Sequence, residues 1–209
     1  MASTHDEQVV NCIDNLIAAH PMLFAGRKFA YSKPFLGAGW YAIADSMCHD
    51  VEQLLGVAAA RFRPIKATAM SGSWRLDWWL NQTPEEAAEQ RCRWIPSIEA
   101  VAFDIGDAVP PPYRAPCEED VEYSSTPAGY RISSLPADKL GRAVHKRVRQ
   151  AEIATESTCM WCGEPGRFWR TSWIHVACEK HHRHDAVTIE EWRRAYEARQ
   201  SKRGDDDGR

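Results

Sequence analysis

The chain has 209 residues, 44% of them hydrophobic and 26% charged, with a formal net charge of −3; these values exclude a collagenous, membrane-embedded or fully disordered chain. The length suits one domain of roughly 100–150 residues with a smaller module attached, enough for a core without disulfide staples. Charge is uneven: residues 1–138 carry 11 Lys/Arg against 18 Asp/Glu, residues 139–203 carry 14 against 8, and residues 204–209 form a short acidic tail.

No run approaches the roughly 18–20 apolar residues of a membrane span. The first eight residues lack the basic and apolar regions of a signal peptide. Both features predict a cytoplasmic protein without a membrane segment. Seven cysteines is an odd number, and Cys12, Cys48, Cys92 and Cys117 stand singly, which argues against a secreted disulfide framework.

In chain order, Thr4 and Glu7 read as a capping box, after which Val10, Ile13 and Leu16 or Ile17 recur at helical spacing until His20-Pro21. A second, longer amphipathic helix is predicted from near Gly39, with Trp40, Ala44, Met47, Val51, Leu54 or Leu55, and Ala58 facing the core. Trp74, Leu76, Trp78 and Leu80 alternate with Ser73, Arg75, Asp77 and Trp79, the period of a half-buried strand. Residues 64–70 are its expected hairpin partner, turning at Ser71-Gly72. Thr83-Pro84-Glu85-Glu86 predicts a helix to about Trp94.

Residues 108–136 hold three consecutive prolines from Pro110 and an acidic run from Glu118 to Glu122, and this composition reads as a long loop or linker. A basic helix is expected beyond it, with Leu140, Val144, Val148, Ala151 and Thr155 on one face and Arg142, Lys146, Arg147 and Arg149 largely off it. Thr188 and Glu191 form a further capping box opening a helix with Ile189, Trp192 and Tyr196 as its apolar stripe.

The strongest chemical signal lies between these last two helices. Cys159-Met160-Trp161-Cys162-Gly163 is a Cys-x-x-Cys knuckle, followed after fifteen residues by Cys178-Glu179-Lys180-His181, a Cys-x-x-His pair. Two pairs of thiolate or imidazole ligands at this separation match a closed tetrahedral zinc site. Residues i and i+3 on the first turn of a helix face the same way, so Cys178 and His181 are placed to close the tetrahedron; His182, His175 and His184 remain alternatives for the fourth position. Arg167-Phe168-Trp169 and Trp173-Ile174-His175-Val176 read as two short strands between the pairs, giving the knuckle, hairpin and helix of a treble clef. Four protein ligands leave no open position, so the Zn2+ is expected to be structural.

The chain resembles a family of uncharacterised proteins encoded by phages and prophages. The resemblance rests on Gly39-Trp40-Tyr41-Ala42-Ile43 running to Met47-Cys48, and on Ala151-Glu152 through Cys159-Met160-Trp161-Cys162-Gly163-Glu164-Pro165-Gly166, with Trp173 and Cys178-Glu179-Lys180-His181. It departs at residues 65–80, where the family's Lys-x-Lys-Phe-Gly-Gly character is reduced to a single Gly72. The resemblance implies a phage or prophage origin, the cytoplasm of a bacterial host and a zinc site, and carries over no function.

The sequence thus predicts an α+β fold: an N-terminal domain (1–107) of helices with a small antiparallel hairpin or sheet, a linker (108–136), a basic helix with a treble-clef-like zinc module (137–203), and a disordered tail (204–209). Its expected role is a binding module for nucleic acid or a host nucleoprotein complex, contacted through Arg142, Lys146, Arg147, Arg149, Arg167 and Arg170, with Trp161 or Trp169 available to stack on bases. One alternative is an inhibitor or adaptor that docks a host protein through its acidic face. Another is a degenerate His-Asn-His-type nuclease, against which the fifteen-residue separation of the ligand pairs leaves no room for the intervening catalytic elements.

Overall fold

The structure, a computed structural model, describes residues 12–24, 36–70, 72–81, 83, 98–100, 121–126, 129–136 and 138–206. The Thr4–Glu7 capping box and the helix expected from Pro84 to Trp94 lie outside them.

Helix α1 (12–19) buries Ile13 and Leu16, and at His20 the chain breaks before the single turn α2 (Pro21–Phe24). Proline cannot donate the backbone bond that would continue α1, yet it suits the first position of a new turn. A 3-10 turn (Ala38–Trp40) leads into α3 (Tyr41–Leu55), which buries Ala44, Met47, Cys48, Val51 and Leu55 on one face. Gly56, at φ 52°, ends the helix.

Strands β1 (Phe62–Met70) and β2 (Ser73–Leu80) form the expected antiparallel hairpin, in register from Phe62↔Leu80 to Met70↔Ser73. The register shifts between Pro64 and Lys66, where proline has no N–H for the ladder. The expected inside–outside alternation holds only in the second half of β2. Ser73 and Arg75 are buried along with Trp74 and Leu76, because helix α4 (Lys139–Thr155) lies along the free edge of the strand. The Trp74 N–H donates to Thr155 Oγ1 (3.0 Å) and the Leu76 N–H to Glu152 Oε1 (3.2 Å). Two side chains one helical turn apart therefore satisfy the outward-facing amides of an otherwise unpaired edge.

Helix α4 is capped by Asp138, whose carboxylate accepts from the Gly141 N–H at 2.6 Å. Its inner face packs Val144, Val148 and Ala151 into the same core as α1, α3 and the β1–β2 hairpin.

The linker expected at 108–136 is corrected over its second half. Strands β4 (Val121–Thr126) and β5 (Gly129–Ser134) form a hairpin, and β3 (Ile98–Ala100) adds to β5 as a third antiparallel strand. Ladder bonds to two neighbours compensate the polar composition on which the loop expectation was based. Residues 108–120 lie outside the described set.

In the C-terminal part, β6 (Arg167–Arg170) pairs with both β7 (Ile174–Ala177) and β8 (Val187–Thr188). Helix α5 (Ile189–Asp206) follows directly. Its capping box is formed in both directions: the Glu191 N–H donates to Thr188 Oγ1 at 3.2 Å, and Glu191 Oε2 accepts from the Thr188 N–H at 2.9 Å. Residues 204–206, expected in a disordered tail, are the last of this helix. No helix among the described residues is long and apolar enough to cross a membrane.

Candidate metal centre

Cys159, Cys162, Cys178 and His181 converge, each offering one ligand atom, with all four atoms within 4.8 Å of one another. Sγ of Cys162 lies 3.7 Å from Sγ of Cys178, and His181 Nδ1 lies 3.7 Å from Cys159 Sγ and 3.2 Å from Cys178 Sγ. A tetrahedron with metal–sulfur bonds near 2.3 Å and a metal–nitrogen bond near 2.0 Å has edges of about 3.8 Å between sulfurs and about 3.5 Å between sulfur and nitrogen. The Cys162–Cys178 separation and the two His181 separations lie within about 0.3 Å of these edges, and three thiols with one imidazole are donors a zinc ion takes. The residues fit the metal.

Local hydrogen bonding explains how the chain brings them together. The knuckle closes through the Gly163 N–H to the Cys159 carbonyl (2.9 Å) and the Cys159 N–H to the Glu164 carbonyl (2.8 Å), with Gly163 at φ 78° in the region a side chain disfavours. Antiparallel pairing of β6 with β7, Arg167 opposite Ala177, returns the chain to the knuckle.

The second ligand pair differs from expectation. Cys178 and His181 lie on an isolated turn, with the His181 and His182 N–H groups both bonded to the Cys178 carbonyl. The chain then bends back through Arg183, which grips Asp185 with two 2.9 Å bonds, and adds β8 before the helix starts at Ile189. The i, i+3 geometry survives because one turn supplies it.

The three alternative histidines for the fourth position lie elsewhere. His182 stacks on Trp169, ring centroids 4.0 Å apart and nearly parallel. His184 is exposed. His175 is buried between Trp161 and Trp173, and burial lowers its pKa and keeps it neutral. None joins the cluster.

The thiols are electrostatically unequal. Desolvation, reinforced by the Cys159 and Cys178 thiols, pushes Cys162 up to about 11 against the lowering effect of the Glu164 N–H. At Cys178 desolvation acts in the same upward direction but is outweighed by the Lys180 N–H, the His181 imidazole and the two other thiols, which bring it down to about 6. Cys48, buried in α3, is instead pushed far up by desolvation and by Glu52 and Asp45, as befits a core thiol.

Sequence reading missed what holds the knuckle from behind. The Gly39 N–H donates to the Met160 carbonyl (3.0 Å), and Trp40 Nε1 donates to the Thr158 carbonyl (2.7 Å). A Cβ on Gly39 would stand 2.1 Å from the Cys159 carbonyl oxygen and 2.3 Å from the Gly163 nitrogen. The Gly-Trp stretch ahead of α3 and the cysteine knuckle are thus one contact, and Met160 belongs to the core of the N-terminal helices.

The six basic residues singled out in the sequence have different surroundings. Arg142 and Lys146 are exposed on α4, with Arg142 Nε donating to the Pro136 carbonyl. Arg147 is exposed and 3.9 Å from Asp50. Arg167 is paired with Glu179 at 2.6 Å and lies over the Trp169 ring; Arg170 lies 3.8 Å from the centre of the Trp192 ring. Arg149 departs from its expected place: it is buried, within 3.4 Å of Glu152 and 3.8 Å of Glu156, because position 149 adjoins the apolar stripe that α4 turns to the core. Trp169 is buried too, its indole N–H bonded to the Ala177 carbonyl, and Trp161 is partly buried.

Comparison of the chain with protein-family models, curated proteins and solved structures finds no match.

Proposed function

We propose that the protein is a zinc-stapled binding module of phage or prophage origin that engages nucleic acid, alone or within a host nucleoprotein complex, and that its metal is structural. The reading takes the C-terminal part as treble-clef-like, with the helix displaced to the far side of β8. A set of four protein ligands fills the coordination sphere and leaves no position for a reacting water.

One observation carries the nucleic-acid reading. The only carboxylate of α4, Glu152, is buried, so the outer face of the helix presents Lys139, Arg142, Lys146 and Arg147 with no acid of the helix interleaved, Asp50 of α3 approaching Arg147 at 3.9 Å. A stripe of cations without interleaved carboxylates suits a phosphate backbone. The acidic-face alternative would have to use a Glu122 whose carboxylate is already engaged by His145 at 2.6 Å.

Fluorescence anisotropy with labelled single- and double-stranded oligonucleotides tests this reading. Binding is expected to weaken steeply between 50 and 200 mM salt, with a log–log slope of about −0.9 per phosphate contacted on duplex. The triple variant R142E/K146E/R147E is expected to abolish binding while retaining zinc. Salt-independent binding, or none, overturns the reading.

A further inference from the structure

The four ligands differ in access. Cys159 is fully buried beneath Gly39, Cys162 is exposed, and Cys178 is partly exposed. Sγ of Cys162 and Sγ of Cys178 are 3.7 Å apart, so a movement of about 1.7 Å would bring them to the 2.05 Å of a disulfide. Both lie on short turns outside regular elements. Moving Cys159 would instead strain its bonds with Glu164 and Gly163 and its packing against Gly39.

We propose that Cys162 and Cys178 form a peroxide-reactive modification site whose oxidation expels the metal, an inference that rests on the zinc reading above. The Cys162 thiolate attacks one oxygen of a hydroperoxide, the O–O bond breaks, and hydroxide (or alkoxide) leaves; the product is a sulfenic acid at Cys162. The Cys178 thiolate then attacks that sulfur, the S–S bond forms, and the sulfenic oxygen departs as hydroxide. Two thiolates together lose two electrons, and the peroxide accepts both. The disulfide leaves only Cys159 and His181 as ligands, half of what a structural zinc site requires. Release of the ion also frees the 159–163 turn from its metal constraint, and Gly39 and Trp40 at the head of α3 are bonded to that turn and its flank.

The test uses the full-length, zinc-loaded protein, with metal stoichiometry read first. Hydrogen peroxide is then titrated while a chromogenic chelator reports free zinc, and the unreduced protein is digested with trypsin. Cleavage after Arg149, Arg167, Arg170 and Lys180 places Cys159 and Cys162 in one peptide (150–167) and Cys178 in another (171–180). The expected result is release of one equivalent of zinc together with a cross-link between these peptides that fragmentation assigns to Cys162, both reversed by dithiothreitol and added zinc. C178S is expected to stop at a sulfenic acid on Cys162 that dimedone traps. A disulfide within peptide 150–167, a link through Cys159, or zinc retained through complete oxidation of Cys162 would overturn the proposal. Protein that holds no zinc before peroxide is added would overturn the metal reading itself and the proposal with it.

Discussion

The backbone of Gly39 rests directly on the cysteine knuckle: its N–H meets the Met160 carbonyl at 3.0 Å, and its Cα faces Gly163. A methyl group at this point would collide with backbone atoms on two sides, and backbone cannot rotate away as a side chain can. G39A is therefore expected to lower both the melting temperature and the zinc affinity. The control is G56A, where a Cβ would meet nothing within 4 Å and only the φ of 52° opposes it; its cost is expected near 1 kcal/mol with zinc affinity unchanged. Thermal unfolding and a competitive chelator titration of both variants check this. Equal zinc affinities in the two variants would contradict the coupling.

Metal removal is the next expectation. Two small buried clusters support the β6–β7 hairpin, Cys159, Trp169 and Ala177 beside the site and Phe168, Ile174, Val176 and Ile189, a modest core for a module of this size. Zinc is expected to contribute on the order of 10 kcal/mol to this part of the fold. A strong chelator should deprotect the amides of residues 159–178 in hydrogen exchange, with those of α3 protected for longer. Uniform protection after complete zinc removal would show that packing alone holds the module.

Much of this arrangement was legible in the sequence, and the failures have physical reasons. The ligand set was readable because metal chemistry imposes a spacing within each pair, and the β1–β2 hairpin because one buried face imposes a period of two. Arg149 was misplaced because its compensation is distant: Arg75 and Leu76, more than 70 residues earlier, share Glu152 with it. The hairpin at 121–134 was hidden by composition, since ladder bonds depend on backbone and not on side-chain polarity. The Gly39 contact spans about 120 residues and leaves no local trace beyond the glycine itself.

Proton release on loading follows from the unequal thiols. In the metal-free protein at pH 7, Cys178, at about 6, is largely thiolate, whereas Cys162, at about 11, keeps its proton. A coordinating cysteine must lose that proton. Zinc binding at pH 7 is thus expected to release at least one proton, and affinity to rise about tenfold per pH unit between about pH 6 and 11 through Cys162 alone. Below pH 6 the fall steepens as Cys178 also protonates. Calorimetry in two buffers of different ionisation enthalpy counts the protons; a count of zero would remove Cys162 from the ligand set.

The last expectation separates stability from affinity on α4. Glu152 is buried, accepts the Leu76 N–H at 3.2 Å, and lies 3.4 Å from Arg149 and 3.5 Å from Arg75. E152A would leave two buried guanidinium groups without the carboxylate they share, and breaking a buried pair from one side costs about 3–5 kcal/mol. R149A removes one of those cations along with its packed stem and is expected to destabilise while leaving the salt dependence of oligonucleotide binding unchanged. K146A, on the exposed side, should do the reverse: stability shifts by less than about 0.5 kcal/mol, while the salt slope of binding falls by about one phosphate contact. Urea unfolding and anisotropy on the same samples distinguish the two, and a loss of stability in K146A equal to that in R149A would refute the division of the helix into an inner structural and an outer binding face.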